Sequence, residues 1–308
     1  MRVGVHTSIA GGLENAAHRA HEIGCDTFQM FSANPRGWKG QDPSPQVSER
    51  FRAARAEYGL SPAVIHDNYL INLASADPLI RQMSIAAFRK ELERALALGA
   101  DYLVTHPGSA KNGTATEAMK FCVESVRQAA KGLKLDGLRI LIENTAGQGS
   151  SIGRTFEEVA EILAGTAREL PMGACIDTAH CFEAGYAVHT QAGLDETVEK
   201  LESTISLANV RVIHANDSKT AFDSHVDRHE HIGKGQICKG AFRRIVCHVK
   251  LREIPFICET PIDQPGDDKR NLRMMRKLAG ELAVSSRPSA SSNRWVSVIP
   301  AKVAIHMR

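Results

Sequence analysis

Short apolar runs alternate along this chain with longer segments whose apolar positions recur at helical spacing. The runs at 2–6, 26–31, 62–66, 101–105, 138–143, 172–177, 210–214 and 254–259 have the length and composition of buried strands. Between and after them lie segments of helical pattern at 13–23, 46–58, 78–98, 115–132, 155–165, 193–206, 240–249 and 267–284. Within 85–98, Ile85, Phe88, Leu92, Leu96 and Ala97 share one face, and Arg89, Lys90, Glu91 and Glu93 occupy the other. Asp77-Pro78 marks the start of that helix and Gly99 its end. Eight strand–helix units with no linker between them predict a single (β/α)8 TIM barrel over 1–284, its active site at the C-terminal ends of the strands. A doubly wound open sheet is the alternative, but it collects side chains near one switch point and not from many strands.

The residues that end these runs change the picture. Ala63-Val64-Ile65 stops at His66, Tyr102-Leu103-Val104-Thr105 at His106 and Ile140-Leu141-Ile142 at Glu143. Cys175-Ile176 stops at Asp177, with His180 three residues on; Val210 to Ile213 stops at His214 and Pro255 to Cys258 at Glu259. Asp227-Arg228-His229 lies between the last two runs. A barrel gathers all strand C-termini on one face, so these residues meet there. One strand-end histidine alone reads as a hydrogen-bonded core residue. Five histidines and four carboxylates together read as metal ligands, since burying so many ionisable groups without a cation costs several kcal/mol per charge. Imidazole with carboxylate, and no thiolate, suits zinc, manganese or iron(II). Asp177 and His180 can face one point from a single turn, and Asp227 and His229 share one side of an extended segment.

Composition sets limits. The formal charge is +3 over 308 residues, but Arg287, Arg294, Lys302 and Arg308 fall in a tail without acids. Removing those four charges leaves residues 1–284 near −1, so bulk charge predicts no nucleic-acid partner. Nine ligands exceed what one ion can use but suit two or three; three divalent ions against four carboxylates would leave the site about +2, a cradle for an anion such as a phosphodiester. No apolar run approaches the roughly 20 residues of a membrane span, and the N-terminus lacks a signal-peptide pattern. Seven cysteines without a C-x-x-C pair fit a reducing, cytoplasmic setting. Residues 285–308 form a Ser-rich basic tail, expected to be disordered.

Seven stretches together resemble endonuclease IV, the zinc-dependent apurinic/apyrimidinic endonuclease family. They are His66-Asp67-Asn68-Tyr69-Leu70-Ile71-Asn72-Leu73, Thr105-His106-Pro107-Gly108-Ser109, Ile142-Glu143-Asn144-Thr145-Ala146-Gly147-Gln148-Gly149 and Cys175-Ile176-Asp177-Thr178-Ala179-His180. The others are His214-Ala215-Asn216-Asp217-Ser218-Lys219, Asp227-Arg228-His229 and Glu259-Thr260-Pro261. The resemblance implies three Zn2+ ions, with Mn2+ as a substitute. One ion would be held by His66, His106 and Glu143. A second would share Glu143 and add Asp177, His214 and Glu259, and the third would take His180, Asp227 and His229. It implies hydrolysis of the phosphodiester 5′ to abasic sites in double-stranded DNA, with Glu143 orienting the nucleophile. The products would be a 3′-hydroxyl and a 5′-deoxyribose phosphate, and a 3′-end repair activity is left open beside this. Arg36, in Phe31-Ser32-Ala33-Asn34-Pro35-Arg36-Gly37-Trp38, together with Tyr69 and Leu70, resembles the family's DNA-probing residues. Such wedges offset lost stacking at the lesion. His6 reads as a support for a ligand or phosphate, and a monomer is expected.

Two departures stand out. Cys238 replaces the glycine the family usually has after Ile237, and nothing in the family pattern matches the tail. The rival enzyme is a sugar isomerase or epimerase on the same barrel, which needs only Glu143, Asp177, His214 and Glu259. A protein that binds lesions without cutting them is the rival outside catalysis.

Overall fold

The computed structural model describes residues 1–280. Eight parallel strands form one sheet: β1 (Val3–Val5), β2 (Phe28–Phe31), β3 (Ala63–His66), β4 (Tyr102–Thr105), β5 (Arg139–Glu143), β6 (Met172–Asp177), β7 (Val210–His214) and, further on, β10 (Phe256–Cys258). They run in the order β1-β10-β7-β6-β5-β4-β3-β2, and a parallel bridge from His6 to Gln29 brings the two ends together. This is the closed barrel, not the open sheet. Closure demands a close approach of β1 to β2. A Cβ at Gly4 would lie 1.8 Å from the Thr27 carbonyl oxygen, so only glycine fits there.

Helices cover the outside of the barrel: α1 (Glu14–Ile23), α2 (Pro45–Glu57), α3 (Pro78–Leu98), α4 (Ala115–Ala130), α5 (Phe156–Thr166), α7 (Gln191–Thr204), α8 (Cys238–Cys247) and α9 (Asp267–Leu278). Their starts follow from local chemistry. The Asp77 carboxylate accepts from Leu79 and Ile80 at the head of α3, and Thr114 with Glu117 and Thr155 with Glu158 make reciprocal caps. Gly99 ends α3 at φ +66°, where a side chain would be strained. Element boundaries mostly lie within two residues of those read from the pattern. The part of the 267–284 segment beyond residue 280, and the tail at 285–308, lie outside the described residues.

Three features differ from the pattern reading. A six-residue helix, α6 (Thr178–Glu183), follows β6 directly, and a two-stranded antiparallel hairpin pairs β8 (Asp217–Ser218) with β9 (His229–Glu230). Glu91 lies on the polar side of the α3 pattern but is buried. It pairs there with the equally buried Arg94 at 2.6 Å, and both hold Ser32.

The core has two layers. Val64, Val104, Leu141, Cys175, Val212 and Ile257 form a cluster of their own inside the barrel. Their strand neighbours, such as Ala63, Ile65, Leu103, Ile140, Ile142, Ala174 and Phe256, pack in the larger cluster with the helices. Strand periodicity of two then fixes what comes next. Two residues beyond each interior residue stand His66, His106, Glu143, Asp177, His214 and Glu259. The same alternation that fills the barrel therefore lifts six polar side chains onto its mouth, facing inward.

Candidate metal centre

Those six side chains meet over the interior layer, joined by three from the connections. Nε2 of His66 and Nε2 of His106 each lie 3.2 Å from Glu143 Oε2. The other Glu143 oxygen, Oε1, lies 2.9 Å from His214 Nδ1, which is also 3.0 Å from Glu259 Oε2. Glu143 thus offers one oxygen to each of two neighbouring groups. His180 Nε2 is 3.3 Å from Asp227 Oδ2, and His229 Nε2 is 3.4 Å from Asp227 Oδ1 and 3.7 Å from Asp177 Oδ2. Donor atoms within 4.8 Å of one another define His66/His106/Glu143, Glu143/Asp177/His214/Glu259 and Asp177/His180/His229. The first two groups bring together the residues that the resemblance sets side by side; in the third, Asp177 stands with His180 and His229 where the resemblance puts Asp227. The half-exposed Asp227 reaches both histidines of the third.

Whether these groups suit a cation is tested by their outward atoms. His66 Nδ1 lies 2.9 Å from the Asp67 carbonyl, His180 Nδ1 2.9 Å from that of Asn144, and His229 Nδ1 3.2 Å from that of Glu259. Each carbonyl can only accept, so each of these imidazoles carries a proton on Nδ1, and loss of the other proton would turn a bare Nε2 inward, as in a metal-ligating histidine. For His214 the roles are exchanged: Nε2 meets Gln29 Oε1 at 2.9 Å, and Nδ1 faces the carboxylates. The buried Nε2 of His229 has no hydrogen-bond partner within the protein. A converging, neutral-nitrogen and carboxylate donor set fits zinc-type ions.

Without a cation, the carboxylates draw protons onto the histidines. Burial opposes ionisation of Glu143 and Glu259, yet the charge of His214, with other histidines, holds both far below the usual carboxylate range. Burial also disfavours the charged imidazoles, but Asp177 and Asp227 raise His180, and Glu143 with Glu259 raises His214, well above normal. The acids therefore demand positive charge beside them. Cys175 lies within reach of Glu143 and His214, but burial pushes its thiol up to about 12. It remains a neutral core residue. Cys181 is likewise buried and meets Asn144 Nδ2 at 3.5 Å.

The centre opens into a cavity of about 350 Å3, lined by His66, His106, His180, Asp227, His229 and Tyr69, among others. Tyr69 is 64% exposed at its rim and meets Phe31 edge-on at 5.3 Å. The two sequence-derived probing loops touch: the Tyr69 amide donates to the Pro35 carbonyl at 3.1 Å. Arg36 is exposed and Leu70 half-buried. His6 packs at a tilt against Phe31, ring centroids 4.4 Å apart, and its Nδ1 lies 3.1 Å from Gln29 Nε2 and 3.6 Å from Glu259.

Sequence reasoning missed the side chains that aim the ligands. Gln29 accepts at His214 and donates to Glu259. Asn216 donates to Asp177 Oδ2 at 2.6 Å and accepts from the Glu259 amide at 2.8 Å. Asn144 accepts from the Asp177 amide at 2.7 Å. For Gln29 a signal existed: it is the polar residue of a strand whose neighbours, Phe28 and Met30, are apolar and buried.

Fold and site together define a TIM barrel with metal-binding His/Glu/Asp clusters at the C-terminal ends of its strands. A family model described as "Xylose isomerase-like TIM barrel" matches residues 17–278. A probable endonuclease 4 of Solibacter usitatus is 51% identical over 282 residues, 91% of this chain and 97% of that protein. A probable endonuclease 4 of Methanoculleus marisnigri is 42% identical over 278 residues, 90% of this chain and 99% of that protein. The crystal structure of endonuclease IV from Thermus thermophilus superposes with a TM-score of 0.81 at 36% identity, covering 91% of this chain and all of that one. The chain belongs to the endonuclease IV family, the apurinic/apyrimidinic endonucleases of DNA repair.

Proposed function

We propose that the nine side chains hold three zinc ions, with manganese as a substitute, and that the centre hydrolyses the phosphodiester 5′ to abasic sites in double-stranded DNA. The observation that carries this reading is the convergence of inward imidazole nitrogens on carboxylates while the outward nitrogens are already bonded. His66, His106 and Glu143 would hold one ion, Glu143, Asp177, His214 and Glu259 a second, and His180, Asp227 and His229 the third. When bound, such ions supply Lewis acidity, making a nucleophile available near neutral pH and offsetting charge on the phosphate.

The chain's own groups do the rest. Glu143, with one oxygen towards each of two groups, fixes the attacking side. His180, Asp227 and His229 line the same cavity beside it, where the phosphate and leaving oxygen would be received. Gln29, Asn144 and Asn216 keep ligand orientation from drifting. Arg36, Tyr69 and Leu70, on adjoining loops at the cavity rim, would enter the duplex at the lesion, where a missing base makes extrusion cheap. An epimerase would use the Glu143/Asp177/His214/Glu259 group and leave five ligands without a role. We assign residues 1–284 as the catalytic domain of a cytoplasmic monomer. No helix among the described residues is long and apolar enough to cross a membrane.

The test is a nicking assay on an abasic duplex, in chelator-free buffer without added magnesium, with both product ends identified. Wild type should leave a 3′-hydroxyl and a 5′-deoxyribose phosphate. Glu143→Gln should lose on the order of 10³-fold in rate while keeping its fold by circular dichroism. Zinc-loaded protein that binds the duplex but never cuts it would sink the reading.

A further inference from the structure

One buried acid has no part in the mechanism above. Glu183 closes α6, the short helix that Asp177 caps and that carries His180, and it is fully buried. Its Oε1 accepts three hydrogen bonds: from Ser218 Oγ at 2.6 Å, Thr220 Oγ1 at 3.2 Å and the amide of Arg228 at 3.2 Å. Its Oε2 has no partner within the protein. A buried carboxylate left half-satisfied costs free energy that an apolar residue would avoid. Its location gives the compensating use. Arg228 is the residue between Asp227 and His229, and Ser218 lies on the opposite strand of the hairpin that presents His229.

The surrounding backbone is tied to the same helix. The His225 amide donates to the Glu183 carbonyl at 3.0 Å, and the Asp223 amide to that of Phe182 at 3.1 Å. Three segments therefore meet on one side chain: the helix that supplies His180, the strand after β7, and the peptide between Asp227 and His229. These last two residues must approach His180 from a different part of the chain, and they do so at 3.3–3.4 Å separations among the three. An extended segment at the barrel mouth has no ladder of its own long enough to fix such positions.

We propose that Glu183 is a positioning residue for the third metal position, its carboxylate holding the Arg228 amide so that Asp227 and His229 face His180. The inference rests on the ligand reading given under Proposed function. Second-layer contacts of this kind are worth about 10–100-fold in metal affinity. The carboxylate itself touches neither ion nor substrate; it acts through the Arg228 peptide.

The experiment equilibrates purified full-length protein with buffered free zinc, then measures bound ions and their affinities by metal analysis and chelator competition. Wild type should hold three ions. Glu183→Ala should keep two at wild-type affinity and weaken one by about tenfold or more. Glu183→Gln should restore it, because the amide oxygen accepts the same bonds. The pair Ser218→Ala with Thr220→Val, which removes two of the carboxylate's three donors, should weaken the same ion less. That pair keeps the test decisive if Glu183→Ala does not fold. A merely structural role would lower the melting temperature of the zinc-stripped protein and leave the ion count unchanged. Three ions held at wild-type affinity by Glu183→Ala, or by the double variant, overturn the proposal; so does equal weakening of all three. Fewer than three ions on wild type overturns the ligand reading itself, and is separately visible.

Discussion

At the scale of single residues, the proposed metal centre depends on two kinds of side chain, the candidate ligands and the polar residues that aim them. A histidine or carboxylate that ends an apolar run is visible because it breaks the run. Gln29, Asn144 and Asn216 are polar residues of no special reactivity, and their importance is in which oxygen or amide they face, which only three-dimensional placement supplies. Cys238 is the opposite case. The sequence flagged it as an odd replacement for glycine, and its backbone explains the preference: φ is +69°, in the left-handed region that disfavours a Cβ by about 1–2 kcal/mol. It opens α8 with an exposed thiol, so nothing in the core depends on it. Cys238→Gly should therefore raise stability, by roughly 1 kcal/mol after the added freedom of the unfolded chain is counted. Urea unfolding of the two proteins checks this, and a lower midpoint for the glycine variant would contradict it.

At the scale of elements, long helices and strands were read nearly to the residue because each has enough periods to show its spacing. The six-residue α6 and the two-residue strands β8 and β9 carry too few periods to register, yet they bear His180 and His229. Helix α3 shows a second limit: hydrophobic pattern alone assigned Glu91 to the water side, since a charge cannot signal that its partner is also buried. Glu91 and Arg94 are three residues apart on the helix, and together they grip Ser32 at the base of the loop carrying Arg36. That loop packs back tightly, since a Cβ at Gly40 would come within 2.5 Å of the Ala33 Cβ and 3.2 Å of Arg94. Arg94→Met would leave Glu91 buried without its cation, at a cost of about 3–5 kcal/mol. Adding Glu91→Leu should return most of that loss, because an apolar pair needs no compensation there. Chemical denaturation of the single and double variants gives the answer, and equal instability of both would remove the ion pair as the cause.

At the scale of the whole molecule, closing the barrel places far-separated candidate ligands together, and it also concentrates charge in a body whose net charge is near −1 through residue 284. Metal and protons then compete for the same nitrogens, which makes stability depend on pH in opposite ways with and without zinc. Burial disfavours the charged form of His66, but the hydrogen bond and charge of Glu143, with Glu259 and Asp67, outweigh it and push its pKa up to about 9 from 6.5. His180 and His214 move in the same direction. A histidine raised on folding stabilises fully below its unfolded pKa, and that contribution is lost as pH climbs through the folded one. Glu143 and Glu259, lowered on folding, contribute above about pH 4.5 and lose their contribution only as pH falls far below it. Zinc-stripped protein should thus be most stable between about pH 4.5 and 6.5 and lose stability towards pH 9. Zinc requires the neutral imidazoles, so its hold strengthens over that same rise. Each ion adds about 4 kcal/mol when free zinc exceeds its Kd a thousandfold. Melting temperatures of stripped and loaded protein from pH 6.5 to 9 should therefore diverge steadily. Parallel curves, or a stripped protein that gains stability over this range, would show that the buried network is not held together by the charge balance described here.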